Sequence, residues 1–582
     1  MIWRNSYLSS LLLLLVLGAP LVSVAEPQKV GGAEKSTSGS FSLDRVIAPV
    51  LKNMAYPENR AKIEGVKMAI ASPSDKAQEH VKQGFAMVHA QWDFEAYRHF
   101  CAALEEDPDC LMAYCGVALA LAKPYGEYEA YKKAAVERML DLMEADKKRE
   151  QAGEVSRFPK MEKEFAAAVA TLISAGPGPA RALFFKVSEQ YPNFLQAKLL
   201  GLFLSRDGYD AEGDPKPAQL AVVKELHRYL EKYPDNAMVI GFWLAINAEA
   251  AISQETVKKD FLPYAQKLVA INSEVPSWQH TLGYYAVRAG DYDLAEKSFA
   301  KAAALYEAWM KGERVSLNDC PGYVKARCSL ANTFYHHGKF DEAMKVANSL
   351  RKVKLDPARV SSDGNVILMW RAYTLPARLY AARGLAGDFK KALRSLPKKK
   401  ELAPFVSDKK QPTLAGVYVD ALSMYLGARR AIVANDLKAA TSLQRTAFRK
   451  HATALGQMSR VARVMPDYSH YLRAVNSLSV YDSELGGLIA LAGPANLRVV
   501  ASGRFLAAKD KQRIPSMMMP MLVVQLMENR LGEYYMGAGD YQSALEAFEA
   551  GVKMMPQNVI SVRGIKMARE ALKKEKLDPF VD

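Results

Sequence analysis

From about Leu43 onward, apolar residues recur three and four positions apart, with Gly, Pro and Asn at the breaks and Ala, Leu and Lys filling the stretches between. That spacing gathers apolar side chains on one face of a helix, and the alternation of a half-buried strand is nowhere sustained. The pattern predicts an all-α chain. The breaks also keep a beat. Ala96 follows Gly84 by twelve residues, Phe100, Ala103 and Pro108 come next, and Ala130 lies 34 residues after Ala96. Small residues at these places suit the crossing of two antiparallel helices. The Phe then fills the gap between hairpins, and the Pro ends the second helix because it has no N–H to donate.

The same ruler fits three more times. Leu282, Gly283, Ala295, Phe299 and Ala302 form one copy, with a turn at Gly290-Asp291. Leu330, Ala331, Phe334, Ala343 and Ala347 form the next, with a turn at Gly338-Lys339 and a late Pro357. Near the end, Leu531-Gly532 leads to Tyr535, Ala544, Phe548, Gly551 and Pro556 through the turn Gly539-Asp540-Tyr541. Phe184 with Pro192, and Leu226 with Pro234, read as second helices closed by proline. Leu414 to Ala434 and Leu437 to Val464 read as long helices that match the ruler poorly. A repeat of this period resembles the tetratricopeptide repeat, so the expected fold is a right-handed superhelical solenoid of stacked antiparallel helix hairpins. The charged, proline-containing stretch from Lys398 to Pro412 suggests a boundary between an array over 43–400 and a second over 401–582.

Composition changes this picture mainly at the N-terminus. Arg4 precedes an apolar run from Leu8 to Leu17, and Ser23-Val24-Ala25 before Glu26 has the small-residue form of a signal-peptidase site. Residues 1–25 therefore read as a Sec-type signal peptide, and the Gly- and Ser-rich stretch 26–42 as a flexible linker. The expected location is periplasmic or extracellular. An uncleaved anchor is the rival reading, because Leu8 to Val24 is nearly long enough to span a bilayer. Half the residues are hydrophobic and a quarter charged, which excludes disorder. The net charge of +15 is spread in short clusters such as Lys398-Lys399-Lys400, which suit helix ends. Outside the cytoplasm that balance points to anionic envelope surfaces rather than to nucleic acid. Five cysteines, Cys101, Cys110, Cys115, Cys320 and Cys328, are too few for a disulfide scaffold and read as buried small hydrophobes, with a Cys101–Cys115 bridge as the alternative.

With the repeats in place, the mature chain resembles a family of bacterial secreted tetratricopeptide-repeat proteins. The resemblance is carried by the lead-in Ala71-Ser-Pro-Ser-Asp-Lys-Ala-Gln78, by Phe94-Glu-Ala-Tyr-Arg-His-Phe100, and by Asp107-Pro-Asp-Cys-Leu-Met-Ala-Tyr114 with Gly116-Val-Ala-Leu-Ala120. At the far end it is carried by Leu531-Gly-Glu-Tyr-Tyr535 with Ala544-Leu-Glu-Ala-Phe548. The resemblance implies no enzymatic activity. It also implies histidine pairs on the first helices of the middle repeats. Here the matching positions are Gly241 and Ala245, His280 and Tyr284, and Lys325 and Cys328, so only His280 remains.

Candidate chemistry is sparse. No phosphate loop, nucleophile elbow, His-Glu-x-x-His or dinucleotide fingerprint occurs. His80, His89 and His99 share no helical face, and His336-His337 falls at a turn expected to be solvated. Cys328 with His280 is an imaginable catalytic pair, but buried structural roles fit both better. Trp92, Trp243, Trp278 and Trp309 read as core rather than as sugar platforms. We therefore expect no enzyme, no cofactor and no metal. The expected ligand surface is the concave face, carried by His280, Tyr284 and Arg288 on one first helix and Lys325, Asn332 and His336 on the next. Such a strip suits a protein or peptide partner. An envelope carbohydrate- or nutrient-binding protein is the alternative, and a metal-dependent hydrolase a more distant one.

Overall fold

The computed structural model describes residues 41–577, apart from 60–67, 69, 123–126, 211–212, 406–413, 462–467, 514, 516 and 518–522. Residues 1–25, read above as a leader, lie outside the described residues. The chain divides into two compact bodies, one ending at Ser205 and one beginning at Arg206. The described part of the expected boundary stretch, Lys398 to Phe405, lies within the second body.

In the first body, two short 3-10 turns precede α1 (Asp75–His89), α2 (Asp93–Glu106), α3 (Leu111–Ala120), α4 (Glu129–Gln151), α5 (Lys160–Ser174), α6 (Pro177–Gln190) and α7 (Leu195–Leu204). The second body opens with α8 (Pro217–Lys232), α9 (Ala237–Ile246), the single turn α10 (Gln254–Thr256) and α11 (Leu262–Ile271). The middle hairpins are α12 (Pro276–Ala289) with α13 (Tyr292–Gly312), and α14 (Pro321–His336) with α15 (Phe340–Arg351). Shorter helices follow: α16 (Asp363–Ile367), α17 (Leu375–Arg383), α18 (Asp388–Ser395) and α19 (Lys399–Leu402). The body ends with α20 (Leu414–Val433), α21 (Leu437–Val461), α22 (Tyr468–Ala492), α23 (Val499–Lys509), α24 (Met527–Ala538), α25 (Tyr541–Met554) and α26 (Val559–Leu577). The described residues contain no strand, only an isolated bridge between Tyr209 and Pro215. The two long helices expected after Leu414 are α20 and α21.

Each hairpin packs first on itself (α1 on α2, α12 on α13, α24 on α25), and its first helix then packs on the first helix of the next, as α12 does on α14. This is the tetratricopeptide-like, all-α architecture that the spacing predicts. The turns are built alike. Gly290 and Gly539 stand in the left-handed region at φ 76° and 80°, ending α12 and α24. The next residue in each case, Asp291 or Asp540, caps the following helix by accepting from the N–H of Leu294 or Ser543.

Between helices, one contact recurs. The fully buried ring of Phe100 on α2 is held between Gly84 on α1 and Gly116 on α3, sixteen residues before and after it. A Cβ at Gly84 would lie 2.5 Å from Phe100 Cε1, and one at Gly116 closer still. Phe548 stands the same way between Gly532 and Gly564, and Phe299 against Gly283. The ring thus rests on bare backbone, and a side chain there would force it off its position. Gly116→Val should therefore lower unfolding stability by about 2 kcal/mol. Gly178→Ala, where nothing lies within 4 Å, should leave it unchanged within about 0.5 kcal/mol. Urea denaturation of both variants checks this, and equal midpoints would remove the clamp from the account.

The five cysteines are all buried and unpaired with one another, so no Cys101–Cys115 bridge forms. Cys115 Sγ instead sits 3.3 Å from Met139 Sδ. Burial pushes the thiols of Cys110 and Cys320 up to about 12, which leaves them protonated and inert at neutral pH.

Candidate functional site

The six residues of the expected strip lie on α12 and α14, one turn of helix apart on α12 but with two turns between Lys325 and Asn332 on α14. Their partners come largely from the chain itself. His280 is buried, its Nε2–H donates to the carbonyl of Met517 at 2.9 Å, and its ring lies edge-on to Phe299. Burial drops its pKa to about 3, so it is neutral at physiological pH. The Tyr284 hydroxyl faces the carbonyls of Ala248 and Pro515, the latter at 3.0 Å, and donates to one of them at a time. The guanidinium of Arg288 donates to Ala248 and Ala250 at 3.3 and 2.7 Å, and lies 5.9 Å from the Tyr284 ring centre. Asn332 donates to its own helix at Cys328 O, and Lys325 is buried. Cys328 is buried as well and burial raises its pKa, so with a neutral His280 it makes no thiolate–imidazolium pair.

His336 is not on a solvated turn. It is nine-tenths buried, and the side chain of Asn558, the residue preceding α26, reaches its Nδ1 at 2.8 Å. Asn558 Oδ1 accepts from the Ser561 N–H at 3.0 Å, which fixes the amide so that Nδ2 faces the imidazole. An amide nitrogen can only donate, so Nδ1 accepts and Nε2 carries the proton. Burial lowers this pKa to about 4 and keeps the ring neutral. His337, its neighbour, points elsewhere: its Nδ1 is 2.6 Å from Glu296.

Tyr284, Arg288, Asn332 and His336 line one half-open cavity of about 480 Å³; His280 and Lys325 do not. Its walls are mostly apolar, formed by Val287, Tyr292 and Phe299 on one side and by Val552, Met554, Met555 and Pro556 at the end of α25 on the other. Val287, Met554 and Met555 also pack with Leu526. Among the described residues, neither Asp nor Glu lines it. The contribution of residues 550–556 was not expected, because nothing in a local repeat says which distant helix closes over it.

Two other groupings escape a reading confined to one helix. His80 on α1 and His99 on α2 meet across their hairpin, Nδ1 to Nδ1 at 3.0 Å. Asp293, Glu296 and His337 come close enough together to hold a cation, but the ammonium of Lys339 is already 2.7 and 3.0 Å from the Glu296 oxygens. Trp92, Trp243, Trp278 and Trp309 are buried.

With this geometry in view, the tetratricopeptide repeat family matches residues 280–358, from the face of α12 through α15. No curated protein sequence matches the chain. Among solved structures, the human IFIT1 dimer with m7Gppp-AAAA is 14% identical over 88% of this chain and 92% of that one, at a TM-score of 0.31. The Cut9–Hcn1 hetero-tetramer of the APC/C gives 13%, 84%, 76% and 0.28, and yeast Tom70 gives 12%, 87%, 97% and 0.23. At those scores none of them bears on what this chain binds. The family match covers one stretch of the chain, and the fold around it is tetratricopeptide-like.

The neutral, buried His280 has a measurable consequence. Its folded pKa of about 3 lies below the ordinary 6.5, so below pH 6.5 the unfolded chain binds a proton that the fold refuses. Its contribution is therefore whole above pH 6.5 and declines toward pH 3. His280→Gln keeps a donor for Met517 but does not titrate. Its stability should fall less steeply between pH 6.5 and 5, by about 1.4 kcal/mol per pH unit. Urea titrations at the two pH values test this, and identical slopes would mean that His280 is solvated.

Proposed function

We propose that the protein is an exported, non-catalytic scaffold that binds a protein or peptide partner on the concave side of its middle repeats. The observation that carries this reading is the open cavity between α12, α14 and the end of α25, where residues of the family-matched repeat remain accessible while the rest of the strip is used internally. Buried neutral histidines and protonated thiols offer no nucleophile or base in working order. The buried tryptophans speak against the carbohydrate alternative. Export rests on the leader alone. No helix among the described residues is long and apolar enough to cross a membrane.

Two measurements test this. Intact-mass analysis of the protein from its native host should show a chain beginning at Glu26, and retention of residues 1–25 would sink export. A photo-crosslinking residue at Lys553, on the rim of the cavity, should trap a defined protein, while one at the exposed Lys224 on α8 should not. Absence of a protein adduct at Lys553, or the same adduct at both sites, would remove the concave side as the binding surface.

A further inference from the structure

The cavity holds an asymmetry that a surface for protein contact does not need. Its apolar walls enclose enough volume for a small organic ligand. Its charges are all of one sign: Arg288 and Lys553 line it, no carboxylate does, and neither cation makes an ion pair among the described residues. The nearby Glu249 is 2.5 Å from Arg473. The neutral ring of His336 adds a directed donor. Its Nδ1 is held by Asn558, and its Nε2–H, on a side chain nine-tenths buried at the cavity wall, has no hydrogen-bond partner among the described residues. That N–H opens on the cavity, where an acceptor on a ligand can meet it.

We propose that this cavity binds a small amphipathic carboxylate, a medium-chain organic acid whose apolar body lies along Val287, Phe299, Val552 and Met554 and whose head meets His336 Nε2–H and the two cations. The chemistry follows from what the site lacks and offers. A neutral hydrocarbon would leave the imidazole N–H unmet and the cations without a counter-charge. A strongly polar ligand such as a sugar would waste the apolar walls. A carboxylate accepts from the imidazole through one oxygen and faces the Lys553 ammonium or the Arg288 guanidinium with the other. The inference stands apart from the protein-partner reading, since a small ligand would be bound whether or not a partner is.

Isothermal titration with decanoate, decanol and acetate on the full mature chain tests it. Decanoate should bind, with decanol and acetate each at least tenfold weaker, because each lacks one half of what the site recognises. Lys553→Glu, an exposed substitution that disturbs no packing, should weaken decanoate about tenfold and leave decanol unchanged. His336→Phe should weaken decanoate similarly, and Val287→Trp should fill the cavity and abolish binding of either ligand. If a variant of His336 or Val287 fails to fold, the Lys553→Glu comparison still decides. Equal affinity for acid and alcohol, decanoate binding unaffected by Lys553→Glu, or no decanoate binding at millimolar concentration would each overturn the proposal. Loss of the crosslinked partner with retained decanoate binding would remove the scaffold reading and leave this one intact.

Discussion

The constraint on which the structure depends is the approach of an aromatic ring to bare backbone. Phe100 and Phe548 each lie between two glycines, sixteen residues before and sixteen after, and Phe299 rests on one. A ring set against a helix without a Cβ lets two helices approach closely while still filling the space between them, so packing density is kept without a large side chain on both sides. The spacing is also what makes the repeat a repeat. It ties the second helix of a hairpin to the first helix of its own hairpin and to the first helix of the next by one side chain.

That constraint explains why so much of the fold was legible. Glycine, alanine and phenylalanine at fixed spacing are local signals, and so are Gly290-Asp291 and Gly539-Asp540, where a left-handed residue ends one helix and a carboxylate caps the next. The site was legible in part. Placing Tyr284, Arg288, Asn332 and His336 on one side required only helical periodicity and the repeat phase. What fills the rest of that side did not follow from it. The carbonyls of Met517 and Pro515, and the amide of Asn558, come from positions more than two hundred residues away in sequence, and no period links them to the residues they meet. His80 and His99 share no face of a single helix; their rings meet across a hairpin, which periodicity along one helix does not show.

The polar interior follows one rule. Charged groups withdrawn from water are held by partners or are titrated to neutrality. Glu484, with no exposed surface, is held by Arg429 at 3.1 Å and Arg530 at 2.8 Å, with the Tyr425 hydroxyl at 2.8 Å. Histidines in the same kind of surroundings lose their charge instead. His280 and His336 are therefore hydrogen-bonding groups of fixed direction rather than acids or bases.

The cavity draws one wall from residues 251–254, others from α12 through α14, and its closing wall from residues 550–556. A ribosome adds the last of these long after the first. The pocket therefore has no precursor in any partly made chain, and its formation must wait on pairings of high sequence separation, which are the slow ones. Whatever occupies it can meet only chains in which these distant segments have already come together, so occupancy would mark that pairing.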